Sequence, residues 1–231
     1  MNAIKNRLCL TCVVLPLSLG AAVGQAALCD SGQRQSPINI TTAALNPHKL
    51  PALRVTYPVT PLTLANDGHT LRVRFGRGGE LVLGSERYAL QQFHFHTPGG
   101  DQINGEAFPF AAHILHKSAS GQLLAIVVPY RLGAENPLLS KLLPVVPTKV
   151  DGNHRLPQLS VSAQEVLPAQ LGYYRYTGSL TAAPCTEGVQ WLVMKQPQTL
   201  SSAQLGQWQK RFKDNMRAIN PLHDRPVFES D

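Results

Sequence analysis

Short segments of alternating apolar and polar residues, between positions 53 and 130, constrain the fold of this chain more than any other feature. They include LRVTY, TLRVRFG, QQFHFH and LLAIVV, and the turn-forming pairs DG, NG and SG lie between them. Alternation with a period of two places every second side chain on one face, which is typical of strands. Glycine closes tight turns because it adopts positive φ without steric cost. The sequence therefore predicts a β-sheet core.

Two later segments carry helical patterns instead. In AENPLLSKLL, Pro137 suits the first turn of a helix and the leucines supply an apolar face. In SSAQLGQWQKRFKDNM, Ser201 or Ser202 can cap a helix whose Trp208 anchors it to the core. We therefore expect a mainly β (α+β) protein with a few peripheral helices.

The first 26 residues have the pattern of a secretory signal. Two basic residues precede an apolar run over residues 8–23, and the small residues Gly24 and Ala26 follow it. The alternative is a retained membrane anchor, but a proline and a glycine interrupt a run that is shorter than the ~20 residues of a spanning helix. We therefore expect cleavage after Ala26, a single domain over residues 27–231, no membrane anchor, and a periplasmic or secreted location.

The mature chain would keep two of the four cysteines, Cys29 and Cys185. In an oxidising compartment one disulfide is the natural interpretation, and two free thiols are the alternative that the residues leave open.

The charge pattern gives no indication of a nucleic-acid partner. The formal net charge of +7 falls to +5 when Lys5 and Arg7 are removed, and the remaining basic residues are scattered. Nucleic-acid-binding proteins typically concentrate basic residues in a patch or stripe. We interpret the charge as a solvated surface.

Three histidines are placed so that a pair of strands can bring them together. His94 and His96 alternate along one strand and share a face, and His113 follows on the expected antiparallel partner, ~4.8 Å away. Three neutral imidazoles without a fourth protein ligand suit Zn²⁺ with an open position for water, which is typical of a catalytic site. The alternative is three half-buried structural histidines, as a lone histidine would suggest. We interpret His116, on the opposite face, as structural.

Six motifs resemble the α-class carbonic anhydrases and span nearly the whole mature chain. They are QSPINI at 35–40, NDGHT at 66–70, QFHFHTP at 92–98, AAHILHK at 111–117, YTGSLTAAPCTEGVQWLV at 176–193 and DNMRAINPLHDRPV at 214–227. The resemblance implies a central, mostly antiparallel twisted sheet of about ten strands, with zinc at the bottom of a conical cleft. It also implies reversible hydration of CO₂ to bicarbonate and a proton.

The resemblance assigns catalytic roles to individual residues. His94, His96 and His113 match the three zinc ligands of the family. Thr181 matches the threonine that orients the attacking hydroxide. His69 matches the histidine that carries protons between the cleft and solvent, a role suited to an imidazole with an ordinary pKa of ~6.5.

The resemblance also assigns supporting residues. Gln92 and Asn215 match the residues that support the first and second zinc ligands, and Cys29 and Cys185 match the disulfide of secreted members. The apolar wall that holds CO₂ beside the metal in the family is matched by Leu115, Ala125, Leu180, Val189 and Trp191.

Two glutamates of the family are missing. Gly100 replaces the one that accepts the threonine hydroxyl, and Ala111 replaces the one that supports His113. Loss of such a partner typically lowers metal affinity or activity ~10 to 100-fold. Glu106 or Asp101 can fill a vacancy only if the loop folds differently, and Glu106 is more simply a solvated turn residue. We expect glutamates restored at both positions to raise the hydration rate and tighten zinc binding.

The sequence therefore leads to a zinc carbonic anhydrase with a reduced rate. The alternative is a zinc-binding, carbonic-anhydrase-like protein with little hydration activity, acting as a binding or surface module or as a slow esterase. Its oligomeric state stays open.

Overall fold

Strands dominate the computed structural model, which describes residues 29, 31–46 and 50–230. The expected signal segment, residues 1–26, lies outside the described residues. Within the described part of the chain, no helix combines the length and apolar character needed to cross a membrane.

The strands follow the alternating segments that the sequence indicates. They are β1 (Asn39–Ile40), β2 (Leu53–Thr56), β3 (Thr60–Asn66), β4 (Leu71–Arg74), β5 (Glu80–Leu83), β6 (Glu86–His96), β7 (Gln102–Ile103), β8 (Phe110–Ser118), β9 (Leu123–Leu132), β10 (Asp151–Val161), β11 (Tyr173–Ser179), β12 (Glu187–Met194), β13 (Gln198–Leu200) and β14 (Phe228–Glu229).

Twelve of these strands form one large mixed sheet. Its order is β10-β3-β4-β6-β8-β9-β12-β11-β14, with β5 and β2 extending from β6, and β13 pairing with β9. Among the described residues, two strand pairs of this sheet are parallel, β9 with β12 and β9 with β13, and its other pairs are antiparallel. β1 and β7 form a separate parallel pair. The predicted fold class is confirmed, and the sheet has more strands than the expected ten or so.

Two α-helices occur where the sequence predicts them, α1 (Pro137–Leu142) and α2 (Ser202–Gln209). The side chain of Asn136 caps α1, and Ser201 caps α2 in a reciprocal capping box with Gln204. Short 3₁₀ helices occupy Thr42–Ala44, Leu143–Val145 and Ala163–Val166.

Helix α2 is shorter than its sequence pattern suggests. It ends at Gln209, and Asp214 then adopts a positive φ of 50°. The backbone N–H of Asn215 donates to the carbonyl of Thr97 at 3.2 Å. The remainder of the predicted helical segment is therefore a loop that returns to the end of β6.

An aromatic cluster packs behind β6, the strand that carries two of the three histidines. Trp208 is fully buried, and its ring lies 4.8 Å from Phe95 and 5.3 Å from Phe110, between ring centroids. Phe93 contacts Phe95 at 5.5 Å in an edge arrangement. Because residues alternate along a strand, this cluster fixes which face of β6 presents its histidines.

Replacing Trp208 with alanine should lower the free energy of unfolding by about 3–5 kcal/mol, because it leaves a large cavity. Trp208→Phe is the matched control. Since Nε1 of Trp208 is buried without a hydrogen-bond partner, phenylalanine loses no hydrogen bond and should have a smaller effect. Urea unfolding followed by circular dichroism measures both values. Equal losses in the two variants would contradict this account of the cluster.

Candidate metal centre

The pairing of β6 with β8 brings three histidines together. His94 lies opposite His113 in the antiparallel register, and His96 lies opposite Ala111. One ring nitrogen from each of the three histidines lies within 4.8 Å of the others. The ring centroids of His96 and His113 are 4.4 Å apart. Among the described residues, this is the group of histidine, cysteine or acidic side chains that can hold a metal ion.

Hydrogen bonds orient two of the three rings. Oε1 of Gln92 lies 3.0 Å from Nδ1 of His94. The backbone carbonyl of Asn215 lies 3.0 Å from Nδ1 of His96. A carbonyl oxygen only accepts hydrogen bonds, so Nδ1 carries the proton in both rings and Nε2 keeps its lone pair. Nε2 of His96 is buried and has no hydrogen-bond partner, as expected for a nitrogen that binds a metal.

The third ring, that of His113, has less support. Its Nε2 is buried without a hydrogen-bond partner. No described residue forms a hydrogen bond with its Nδ1 either. A neutral imidazole carries one N–H, so with a metal on one nitrogen the N–H on the other remains unsatisfied. Ala111, on the same face two residues earlier, offers no side-chain acceptor.

All three imidazoles are neutral at neutral pH. Burial lowers the pKa of His94 well below its usual value, and nearby His96 and Arg72 lower it further. Burial lowers the pKa of His96 to about 4, although the Asn215 carbonyl opposes this shift. Burial also lowers the pKa of His113 well below its usual value, with His96 and His94 adding to the effect. Neutral imidazoles are the form that binds metal.

The histidines line a cavity of about 750 Å³, which we call the metal cavity. Its lining includes His69, Thr181 and three members of the apolar wall, Leu115, Leu180 and Trp191. The other two members, Ala125 and Val189, are buried in the same apolar cluster as Trp191. The cavity therefore combines donor nitrogens with an apolar surface.

Thr181 lies in the loop that follows β11. Two hydrogen bonds fix the start of this loop, one from Ser36 N to Ser179 Oγ at 3.0 Å and one from Ser179 N to Ser36 Oγ at 3.1 Å. The hydroxyl of Thr181 forms no hydrogen bond with any described residue. Its orientation is therefore not fixed by an acceptor.

Neither candidate acid fills the two glutamate vacancies. Glu106 forms a two-point ion pair with Arg131 on the surface, at 2.8 and 2.7 Å, in agreement with its interpretation as a solvated residue. Asp101 is buried, and its Oδ1 accepts from the backbone N–H of Ile38 at 3.0 Å and the hydroxyl of Tyr176 at 2.8 Å. Burial raises the pKa of Asp101 to about 6.

A side chain at position 100 would meet both backbone strain and a close contact. Gly100 adopts a φ of +92°, a conformation that residues with a Cβ rarely take. A Cβ there would lie 2.5 Å from Cε of Met216. The expectation that a glutamate restored at position 100 helps the site is therefore revised, because the positive φ strains any residue with a Cβ and the end of the Met216 side chain would have to move.

Arg72 is a site residue that the sequence reasoning missed. It lies opposite His94 in the β4–β6 register and lines the metal cavity. Its Nη2 lies 2.7 Å from Oδ2 of Asp67. The signal for it was available, because Arg72 and Arg74 alternate with apolar residues on the strand next to the histidines.

The predicted disulfide is confirmed. Cys29 and Cys185 are bonded, with their Cα atoms 5.1 Å apart and a sequence separation of 156. Cys185 follows Thr181 by four residues, so the bridge attaches the threonine loop to the segment around Cys29. A cross-link over so long a loop stabilises the folded state in the chain-entropy model by roughly 4–5 kcal/mol.

The sequence profile described as eukaryotic-type carbonic anhydrase matches residues 23–231. This chain belongs to the carbonic anhydrase family. It is 39% identical over 216 residues to a carbonic anhydrase of Neisseria gonorrhoeae, covering 93% of this chain and 84% of that protein. It is 38% identical over 213 residues to a carbonic anhydrase of Pectobacterium carotovorum, covering 92% and 86%.

The fold is shared with a solved member of the family. An α-carbonic anhydrase from Thermovibrio ammonificans, in complex with the inhibitor sulfanilamide, superimposes with a TM-score of 0.83 and 36% identity. The match covers 88% of this chain and 90% of that chain. Carbonic anhydrases of this family are zinc lyases, and the residues of this metal cavity fit a zinc ion.

The buried histidines predict how stability depends on pH in this carbonic anhydrase. In metal-free protein, His96 and the core residue His116 each have a folded pKa of about 4. The unfolded chain, with a pKa near ~6.5, therefore binds more protons, and stability falls as pH drops from about 6.5 to 4. Each group should contribute a loss of about 3 kcal/mol. The raised pKa of Asp101 acts in the opposite sense and offsets part of this loss.

Urea unfolding of the metal-free protein at several pH values measures this loss. His116→Gln is the matched variant, because it removes one of the titrating groups and keeps a partner for the Tyr57 hydroxyl, 2.7 Å from Nε2 of His116. Its stability should fall less steeply between pH 6.5 and 4. Equal slopes for the two proteins would contradict the pKa assigned to His116.

The two vacant positions should respond differently to glutamate. Ala111→Glu should tighten zinc binding by about 10 to 100-fold, because positions 111 and 113 share a face of β8 and a carboxylate can accept the N–H of His113. Gly100→Glu should lower stability by about 1–3 kcal/mol through backbone strain, without a gain in zinc affinity. Competition with a chromogenic chelator measures the affinity, and Ala111→Gln tests the need for a charge. Tighter zinc binding by Gly100→Glu would overturn this distinction.

Proposed function

We propose that this chain is a zinc-dependent carbonic anhydrase that catalyses CO₂ + H₂O ⇌ HCO₃⁻ + H⁺ at a reduced rate. The observation that carries the proposal is the set of three neutral histidines whose ring nitrogens lie within 4.8 Å of each other in a partly apolar cavity. Family membership supports the reaction. The two missing glutamates support the reduced rate.

Zinc would be held by His94, His96 and His113. Nε2 of His94 and of His96 are the available nitrogens, because Nδ1 of each is hydrogen-bonded. When bound, zinc supplies Lewis acidity that lowers the pKa of a water molecule towards neutrality, a property established on carbonic anhydrases themselves. A site with three protein ligands leaves a position open for that water.

The apolar wall binds CO₂ and excludes competing water. Trp191 packs against the ring of His113 at 5.1 Å, so the wall reaches the metal ligands directly. Ala125 lies opposite Trp191 in the register of β9 and β12 and is buried behind the wall. CO₂ has no charge and accepts hydrogen bonds weakly, so an apolar surface close to the metal suits it, whereas bicarbonate is a charged product and is expected to leave.

Thr181 is the group that should orient the attacking oxygen. A hydroxyl accepts a hydrogen bond in a fixed direction only if its own proton has a defined acceptor. The Thr181 hydroxyl has none among the described residues. It can therefore rotate, and we expect this freedom to account for much of the loss in rate.

His69 is placed to transfer the proton. Its side chain is exposed at the metal cavity, while its backbone is fixed at both ends. Its N–H donates to Oδ1 of Asp67 at 3.0 Å, and its carbonyl accepts from Nδ2 of Asn215 at 2.8 Å. An exposed imidazole at the cavity can accept a proton from inside and release it to solvent.

A second candidate function is zinc-dependent binding with little turnover, or slow ester hydrolysis. The names of the relatives do not favour it; the observation behind it is the Thr181 hydroxyl, which has no acceptor among the described residues. The signal pattern in residues 1–26 and the disulfide support a periplasmic or secreted location for either function.

The deciding measurement is the stopped-flow rate of CO₂ hydration by zinc-loaded, oxidised protein. We expect a zinc-dependent rate well above that of His94→Ala, which should fail to retain zinc after dialysis. Thr181→Val serves as the matched variant. It should reduce the rate by less than about tenfold if the hydroxyl is already poorly oriented, compared with the ~100 to 1,000-fold typical of a well-placed polar group.

A rate no greater than that of His94→Ala, in protein shown to contain zinc, would exclude the enzyme and favour the binding function. Activity towards an activated ester under the same conditions would then separate a slow esterase from a binding module.

A further inference from the structure

A second cavity lies apart from the metal cavity. It has a volume of about 620 Å³ and shares no lining residue with the metal cavity. Strand β11 and the loop before β14 provide most of its walls. Because it is lined by the three arginines Arg34, Arg175 and Arg225, we call it the arginine cavity.

The three arginines lack ionic partners. Among the ion pairs of the described residues, none includes Arg34, Arg175 or Arg225. Asp224 also lines the cavity, but it is exposed and forms no ion pair there. The lining therefore contains three cations and one acid, and the charge of Glu187, which is not part of the lining, acts on Arg34 and Arg225.

Arg225 is the buried member of the set. Its side chain is 6% exposed. Burial lowers the pKa of Arg225, and the charge of Arg34 lowers it further, while Tyr176 and Glu187 oppose the shift. Glu187 is already engaged, since its Oε1 accepts from the backbone N–H of Arg34 at 2.7 Å and from Gln35 at 2.8 Å. Asp101 also opposes the shift, but neither acid forms an ion pair with Arg225, so an anion bound in the cavity would stabilise this buried cation further.

The guanidinium of Arg225 is held in place by backbone carbonyls. Nε donates to Leu222 at 2.9 Å, Nη1 to Thr177 at 3.2 Å and Nη2 to Pro221 at 2.7 Å. A guanidinium carries five N–H groups, so two remain for a ligand. Its position is therefore fixed before any ligand arrives.

Arg175 and Thr177 supply further donors on the same strand. The guanidinium of Arg175 lies 5.2 Å from the centre of the Phe228 ring, and no described residue forms a hydrogen bond with it. Oγ1 of Thr177 accepts from Nε2 of Gln190 at 3.1 Å, which leaves its own proton free to donate. Positions 175 and 177 share a face of β11. Arg175 and Thr177 therefore add donors to the lining of the cavity that Arg225 also lines.

We propose that the arginine cavity binds a doubly charged tetrahedral oxyanion of the phosphate or sulfate type. The forked N–H groups of arginine match the oxygen pairs of such an anion, and bonds to charged groups are the stronger ones. Two negative charges would offset the excess of three lining cations over one lining acid. The site is independent of zinc and of the reaction proposed above.

Isothermal titration of the full, oxidised, zinc-loaded protein with inorganic phosphate at constant ionic strength tests the proposal. Arg175→Gln and Arg34→Gln should each weaken binding by about tenfold or more, since each removes charged hydrogen bonds. Both side chains are at least partly exposed, so these variants should fold. Arg77→Gln is the matched control, because it removes one exposed charge from a turn outside the cavity and should leave affinity unchanged.

Two further titration experiments identify the binding site and the ligand. Phosphate binding at the arginine cavity should persist in His94→Ala, whereas binding in the metal cavity should be lost there and persist in Arg175→Gln. Sulfate should bind equally at pH 6 and pH 8, while phosphate should bind more tightly at pH 8, where it carries two charges. Absence of phosphate binding, equal affinity in Arg77→Gln and Arg175→Gln, or loss of binding only in His94→Ala would each overturn the proposal.

Discussion

The antiparallel register between β6 and β8 is the constraint on which the rest of the structure depends. It sets His94 opposite His113. Because side chains alternate, a slip of one residue would turn His94 and His96 into the core and bring Phe93 and Phe95 into the cavity. Each phenylalanine is fully buried, and burying such a side chain stabilises the fold by about 1.5–3 kcal/mol. Core packing on one face of β6 therefore fixes the geometry of the metal site on the other.

The histidines of the site differ in the hydrogen bonds that support their rings, and each difference depends on a few neighbouring residues. Nδ1 of His96 donates to the backbone carbonyl of Asn215, in the loop after α2. Oδ1 of Asn215 also accepts from the backbone N–H of Thr97 at 2.8 Å. His113 receives nothing equivalent. The loss at Gly100 goes beyond a missing carboxylate, since Met216 occupies the adjacent space and the backbone has a conformation suited to glycine. A glutamate at position 100 would therefore strain the backbone and displace Met216, whereas a longer side chain at position 111 does not require a positive φ.

The parts of the structure that depend on a regular period could be predicted from sequence. Period two along residues 91–96 placed His94 and His96 on one face, and the proline and leucines of α1 predicted a helix correctly. The end of α2 could not be predicted, because contacts between Asn215 and the end of β6 override the helical pattern there. The conformation of Gly100 and the exposure of Arg72 to the cavity likewise depend on distant residues, which a one-dimensional pattern does not contain.

In the metal-free protein, the side-chain arrangement that suits metal binding lowers the stability of the fold. Three neutral imidazoles lie together, His96 and His113 are buried, and Nε2 of each of these two lacks a hydrogen-bond partner. An unsatisfied buried polar group typically costs about 1–3 kcal/mol. The aromatic cluster and the disulfide offset this cost without contacting the metal. A metal that binds only the folded chain raises the free energy of unfolding. The increase grows with the logarithm of the metal concentration divided by Kd. The weaker support of His113 should therefore reduce the stability gained on zinc binding as well as the rate, because a site with lower zinc affinity is stabilised less by the metal.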